Sequence, residues 1–181
     1  MTVSARTASA RLPGPGSYEI DSGASTIALT TRHLFGLGRV GGSFDVSGGR
    51  VTVDEQTGAG ETKAEVDVTV DAGSVDTGNA GRDKAVRSPA FLDSEAHPNI
   101  AFRSTGVGRE GESWIVRGEV TARGAAAPVD LCVVELRETA GGLYVRAAAT
   151  VDRYALGMTR FKGVAARRVQ LEISARADRI G

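Results

Sequence analysis

Ala64-Glu-Val-Asp-Val-Thr-Val-Asp71 decides the fold class. Ala64, Val66, Val68 and Val70 fall on one face of an extended chain, and Glu65, Asp67, Thr69 and Asp71 fall on the other. A period of two with β-branched residues inward marks a strand with one face in a core and one in water. Arg167-Arg-Val-Gln-Leu-Glu-Ile-Ser-Ala-Arg176 repeats the pattern through Val169, Leu171, Ile173 and Ala175. Shorter alternating runs occupy Tyr18–Ile20, Thr26–Arg32, Ser43–Val46, Arg50–Val53, Asn99–Arg103, Trp114–Ala122, Val129–Leu136 and Tyr144–Val151. The count is about nine or ten strands with almost no helical periodicity between them. Such a chain is all-β and antiparallel, a sandwich or a barrel.

The punctuation is that of hairpins. Ser47-Gly48-Gly49 and Ala140-Gly141-Gly142 each separate two alternating runs, Gly106 to Gly111 joins another pair, and Gly124 to Ala127 before Pro128 breaks one more. Glycine supplies the positive φ that tight hairpin turns require. Gly36-Leu-Gly38 and Gly41-Gly42 read as further tight turns. One stretch, Gly73 to Pro98, does not alternate. Asn79 is placed to cap a short helix running through Val86, and Pro89 would stop it. The result is a short helical insertion between central strands, where a barrel carries a lid or plug. Residues 1–16, rich in Ala, Ser, Arg, Pro and Gly, read as a flexible tail before a domain spanning 17–181.

Lys and Arg together number 22, as do Asp and Glu, so the formal net charge is zero. That balance argues against nucleic acid as a partner and against a polybasic membrane anchor. No segment approaches the roughly 20 apolar residues needed to span a bilayer. The N-terminus has no apolar run of the kind a secretory signal carries, which points to a cytoplasmic protein. Cys132 is the only cysteine, so no intramolecular disulfide forms, and its apolar surroundings suggest a small buried hydrophobe.

Enzymatic motifs are sparse. Two histidines, no Gly-x-Ser-x-Gly elbow and a cysteine without a partner base leave nucleophilic catalysis unsupported. Asp93, Glu95 and His97 alternate and, with His33, form the one set that could hold zinc or a similar ion. The bland alternative is a solvated surface turn before Pro98. No glycine-rich phosphate loop precedes a helix. The expectation is a protein that is not an enzyme and needs no cofactor.

An ordered set of short motifs resembles the YceI-like polyisoprenoid-binding family. It comprises Thr31-Arg-His-Leu34, Val40-Gly-Gly-Ser-Phe44, Ser74-Val-Asp-Thr77, Arg82-Asp83, Ser88-Pro-Ala-Phe91, His97-Pro-Asn-Ile-Ala-Phe-Arg-Ser104 and Val151-Asp-Arg153. The resemblance runs from about Tyr18 to Ala175. It implies a lipocalin-like antiparallel β-barrel whose long apolar pore holds a polyisoprenoid, such as an isoprenoid quinone or a polyprenyl phosphate. The chain departs from the family where Ala125-Ala-Ala-Pro128 replaces bulkier residues, and in lacking the signal peptide of the family's best-known members.

The residues themselves are compatible with that pore. An eight-stranded or slightly larger barrel either fills with side chains or holds one ligand, and aromatics make up only 5% of this chain. Leu29, Phe44, Val68, Phe102 and Trp114 are expected along the tail of the ligand, with Phe35 and Phe91 also inward. Arg82, Asp83 and His33 are expected near its head group, because a guanidinium donates well to phosphate or quinone oxygens. Asp83 also suits the first turn of a helix, with Arg82 as its ion-pair partner. Arg153 reads as a salt-bridge residue, and Ser74 and Thr77 as turn or cap residues. Two rival readings remain: a packed barrel serving stress-related or protein-interaction roles, and the metal enzyme above. A homodimer is compatible with all three.

Overall fold

The computed structural model of the chain describes residues 12–33, 37–55 and 63–181. Its strands are β1 (Gly16–Ile20), β2 (Thr26–His33), β3 (Gly38–Val53), β4 (Ala64–Asp71), β5 (Asn99–Glu110), β6 (Ser113–Ala122), β7 (Ala125–Thr139), β8 (Gly142–Asp152) and β9 (Arg168–Ile180). One helix, α1 (Ala80–Arg87), lies in the β4–β5 connection. All pairings are antiparallel, in the order β1-β3-β2-β9-β8-β7-β6-β5-β4, with β3–β4 and β1–β9 closing the ring.

β1 and β2 pair with the same two neighbours, β3 and β9, at successive heights. They are one strand position broken in the middle, so the barrel has eight positions around its axis. The break is chemical: the Asp21 carboxylate accepts from the N–H groups of Gly23 and Ala24 and turns Ser22–Ala24 into a single 3-10 turn. Alternation determines the interior. Val169, Leu171, Ile173 and Ala175 all face inward, as do Val68 and Val70 of β4.

Two expected turns lie inside a strand, and a third is displaced by a residue or more. Ser47-Gly48-Gly49 is no hairpin: β3 runs through it, with a bulge between Val46 and Gly48. There the strand exchanges β2 for β1 on one side and gains β4 on the other. Glycine fits a bulge for the same reason it fits a hairpin, so composition could not separate them. Gly41 and Gly42 also lie within β3. The first half of β3 is not paired with β4, and the insertion takes that place through two hydrogen bonds between Ser43 and Asp76. A Cβ at Gly42 would stand 2.8 Å from the Asp76 carbonyl oxygen, so close approach explains this glycine. The β6–β7 turn sits at Arg123–Gly124, and Pro128 lies within β7 opposite Glu119.

Cys132 is half-buried on the outer face, not in the core, because it alternates with the inward Leu131 and Val133. Residues 12–16 of the expected tail are tied to the barrel. Gly14 donates its N–H to Glu138, its carbonyl accepts from the Tyr18 hydroxyl, and the Pro15 carbonyl accepts from Arg179. Met1–Arg11 lie outside the described residues.

Antiparallel alternation places the β2–β3, β4–β5, β6–β7 and β8–β9 connections at one end of the barrel. The remaining hairpins and β1's start lie at the other. That far end is plugged by Tyr18, Ile20, Val46, Val53, Leu143 and Ala177. A second cluster, Leu92, Ala122, Ala127, Leu156 and Met158, packs near the loop end.

Candidate functional site: an apolar cavity with a cationic mouth

Between the two clusters the barrel is hollow. A cavity of about 580 Å³ runs from Ile20 and Val46 near the plug up to Thr31, Arg82 and Phe161 at the loop end. This lies within the usual range for sites that enclose one organic ligand. Leu29, Phe44, Val68, Phe91 and Phe102, expected to face a ligand, all line it, and so does Arg82. Trp114 does not. It shares the inward parity of β6 but lies toward the far end, past the cavity floor, with the Arg109 guanidinium 5.6 Å from its ring centre. His33 ends β2, but its side chain, like Phe35, lies outside the described residues.

Asp83, expected at the head group, is buried and turned away from the cavity. Its Oδ1 accepts from the Thr77 hydroxyl at 2.6 Å and from the Thr77 N–H at 2.9 Å. The Thr77 hydroxyl, opposed by burial and helped by the Thr77 N–H, Arg87 and Arg82, holds this carboxyl below its ordinary range. Arg82 is placed by the same threonine. Its Nε donates to Thr77 Oγ1 at 2.8 Å and its Nη2 to the Thr77 carbonyl at 3.0 Å. The expected Arg82–Asp83 pair is therefore a relay, guanidinium to hydroxyl to carboxylate, with Thr77 in the middle. The local sequence builds it: Asn79 Oδ1 caps α1 through the Arg82 N–H, and Arg87 ties the helix back to the carbonyls of Gly73 and Val75.

The other side of the mouth is the β8–β9 loop, residues 153–167, organised around Arg153. This guanidinium is 5% exposed and lines the cavity. It donates to the carbonyls of Ala166 at 2.8 Å, Ala165 at 2.8 Å, Arg160 at 3.0 Å and Met158. The expected salt bridge is absent: Asp152 points the other way and holds Arg167 through both carboxylate oxygens. Burial pushes the Arg153 guanidinium down from its ordinary value, yet arginine stays protonated. Its charge is offset by these carbonyl dipoles, by the Tyr154 and Phe91 rings 4.8 and 5.7 Å away, and by the nearby Asp152 charge. Phe91 from the insertion and Phe161 from the loop stack across the mouth, centroids 5.7 Å apart and 8° from parallel.

Asp93, Glu95 and His97 form a turn before β5, with the Asp93 carbonyl accepting from the His97 N–H. Among the described residues no three of His, Cys, Asp or Glu come together as a metal site.

A family model for the YceI-like domain matches residues 18–177. The chain belongs to the YceI-like family. Relatives include a UPF0312 protein of Photorhabdus laumondii, 37% identical over 124 residues, covering 68% of this chain and 62% of the relative. Another is the YceI protein of Escherichia coli O157:H7, 35% identical over 116 residues, covering 63% and 59%. A UPF0312 protein of Pectobacterium carotovorum is 38% identical over 105 residues, 58% of this chain and 53% of that one. The match thus spans little more than half the length of several relatives. Among solved structures, BcnA of Burkholderia cenocepacia superposes with a TM-score of 0.71 at 18% identity, over 87% of this chain and 98% of that one. A polyisoprenoid binding domain from Saccharophagus degradans gives 0.64 at 15% identity, over 90% and 98%. These likenesses establish a shared barrel.

Within this YceI-like barrel, the sequence pattern by itself assigns Thr77, Arg153 and Phe161 no place at the mouth. Thr77 passed as a turn residue, and only the fold shows it between Arg82 and Asp83. Arg153 passed as an ion-pair residue because Asp152 precedes it. Alternation was the missed signal, since adjacent strand residues face opposite sides. Phe161 lies in the β8–β9 connection, where no alternation marks it as a mouth residue. Its backbone takes a left-handed φ of +56, and its ring stacks on Phe91.

Proposed function

We propose that the chain binds an elongated amphiphilic lipid of the polyisoprenoid class, such as an isoprenoid quinone or polyprenyl phosphate, and carries or stores it without transforming it. The carrying observation is the cavity: deep, lined by aliphatic and phenyl groups, closed at one end and rimmed by Arg82 and Arg153 at the other. Burial is worth about 0.8 kcal/mol per CH₂, so each five-carbon unit adds about 4 kcal/mol before ordering costs. The tail then needs no polar partner. At the mouth, Arg82 offers donors to an oxygen-bearing head group while Asp83 and Thr77 hold it in place. Trp114 and Asp83 are structural in this reading. The Saccharophagus domain's description as polyisoprenoid binding lends support through fold alone.

Native mass spectrometry of the purified chain, followed by organic extraction, tests the reading. One prenyl lipid or quinone per chain is expected, or stoichiometric uptake of added isoprenoid quinone. A chain that is empty and takes up none would overturn it.

A further inference from the structure

The zero net charge of the sequence conceals a segregation that the topology reveals. Residues 31–40, 72–98, 122–125 and 152–168 supply the connections at the mouth end. They contain eleven Lys and Arg against five Asp and Glu. The whole chain has 22 of each, so the rest of the molecule carries the matching acidic excess. Three of the five mouth acids are engaged internally: Asp83 by Thr77, Asp152 by Arg167, and Asp76 by the Gly78 N–H. The cations are mostly exposed, Arg39, Arg160 and Lys162 among them.

The same end presents apolar side chains to water. Leu37 at the tip of the β2–β3 hairpin is 91% exposed, and Phe161 and Val164 on the β8–β9 loop are 58% and 45% exposed. They stand on two loops, Leu37 on one and Phe161 and Val164 on the other, around an opening, where a protein partner would more commonly meet one contiguous patch. Isolated apolar tips among cations suit the boundary between lipid head groups and acyl chains. The cavity reaches this end at Thr31, Arg82 and Phe161, so a lipid could move between bilayer and barrel without crossing water.

We propose that the mouth end docks on an anionic lipid surface. Leu37, Phe161 and Val164 enter the interfacial layer, while Arg39, Arg160 and Lys162 lie against head-group phosphates. The polybasic anchor that net charge argued against is supplied by charges distant in sequence and gathered by the fold.

Co-sedimentation with vesicles tests it. Phosphatidylcholine vesicles containing a third phosphatidylglycerol are compared with pure phosphatidylcholine at 50 mM and 500 mM salt. The full chain should pellet with the anionic vesicles at low salt, and lose most of that binding at high salt as screening shortens the reach of each charge. Arg160→Glu with Lys162→Glu should weaken binding at least tenfold, and Leu37→Ser with Val164→Ser several-fold. Glu112→Lys at the far end, a charge change of the same size per substitution and opposite sign, should change it less than twofold. Melting temperatures of all variants confirm folding. Equal binding to both vesicle types, no binding to either, or indifference to the rim substitutions would overturn the proposal. An acidic protein would then be the partner left for this rim. The proposal stands on the rim and not on the cargo: vesicle binding by a chain that takes up no isoprenoid would refute the carrier reading alone.

Discussion

Arg153→Met is the sharpest test of how the mouth is held. The substitution keeps an unbranched apolar stem of similar reach but removes every donor. Four carbonyls of the β8–β9 loop, those of Met158, Arg160, Ala165 and Ala166, lose their partner at once. A hydrogen bond from a charged donor contributes about 1.5 kcal/mol or more, and a buried acceptor left alone costs about 1–3 kcal/mol. Arg160 is exposed and Ala165 and Ala166 are half-buried, so water can recover part of this. Removing the desolvated charge also returns something. The net expectation is a loss of about 2–4 kcal/mol, equal to about 5–12 °C in Tm for a domain of this size. Arg153→Lys should fall nearly as far, because one ammonium cannot reach carbonyls fanned around a planar guanidinium. Differential scanning calorimetry reads the Tm, and amide exchange across 158–166 locates the loosening. A Tm within 2 °C of the parent for Arg153→Met, with unchanged exchange in the loop, would refute this account of the mouth.

Three further outcomes follow from the same geometry. Val68→Trp projects an indole into the cavity beside Phe102; because the space is vacant, it should cost less than the 1–3 kcal/mol of ordinary overpacking and abolish quinone uptake, so undiminished stoichiometric uptake would count against the pore. Asp83→Asn should lower Tm at pH 7, since the carboxylate's contribution is complete above about pH 4 and is lost as pH falls through its depressed folded value. The gap to the parent should therefore narrow as pH falls below about 4, and a constant gap from pH 7 downward would show that the charge is irrelevant. Phe161→Gly removes a stacked pair worth about 1 kcal/mol and relieves a positive φ costing about as much; Tm should stay within about 3 °C while stopped-flow release of a bound fluorescent prenyl analogue quickens several-fold.

What could be read from the chain, and what could not, divides along a physical line. Inward and outward faces depend only on the period of two, so Val68, Leu171 and Ile173 were legible as interior before any fold was known. Depth along the axis depends on register and tilt, which no local pattern carries. Trp114 has the right face and the wrong depth. Gly48 and Gly49 show another limit, because a bulge and a hairpin ask the same freedom of the backbone and only strand pairing tells them apart. Arg82 and Asp83 are neighbours on one helix, yet one meets the cavity and the other is buried. The difference lies in Thr77, which reaches both from the preceding turn. Asp152 and Arg153 look like an ion pair in sequence, and the strand that separates their directions makes two unrelated sites of them.

The hollow centre follows from where the bulk was placed. Eight strands enclose a space that large side chains would just fill. On β6, β7 and β8, however, the inward positions include Gly118, Ala122, Ala127, Ala147 and Ala149, too small to reach across. Phe44 projects from β3 across the ring, and the Phe102 ring lies over Gly118 of the neighbouring strand. The apolar interior is consequently split into a plug around Tyr18 and Leu143 and a collar around Leu92 and Met158. Phe44 and Ile100 pack against both clusters and bridge them along one side, and a tail in the cavity would complete the core that the side chains leave unfinished. Anything bound there stabilises the fold by mass action, by about 2.7 kcal/mol when ligand stands at a hundred times its Kd. The economy of aromatic residues that makes this barrel a weak solid core is thus the same property that makes it a container, and the cationic collar marks the end through which it fills.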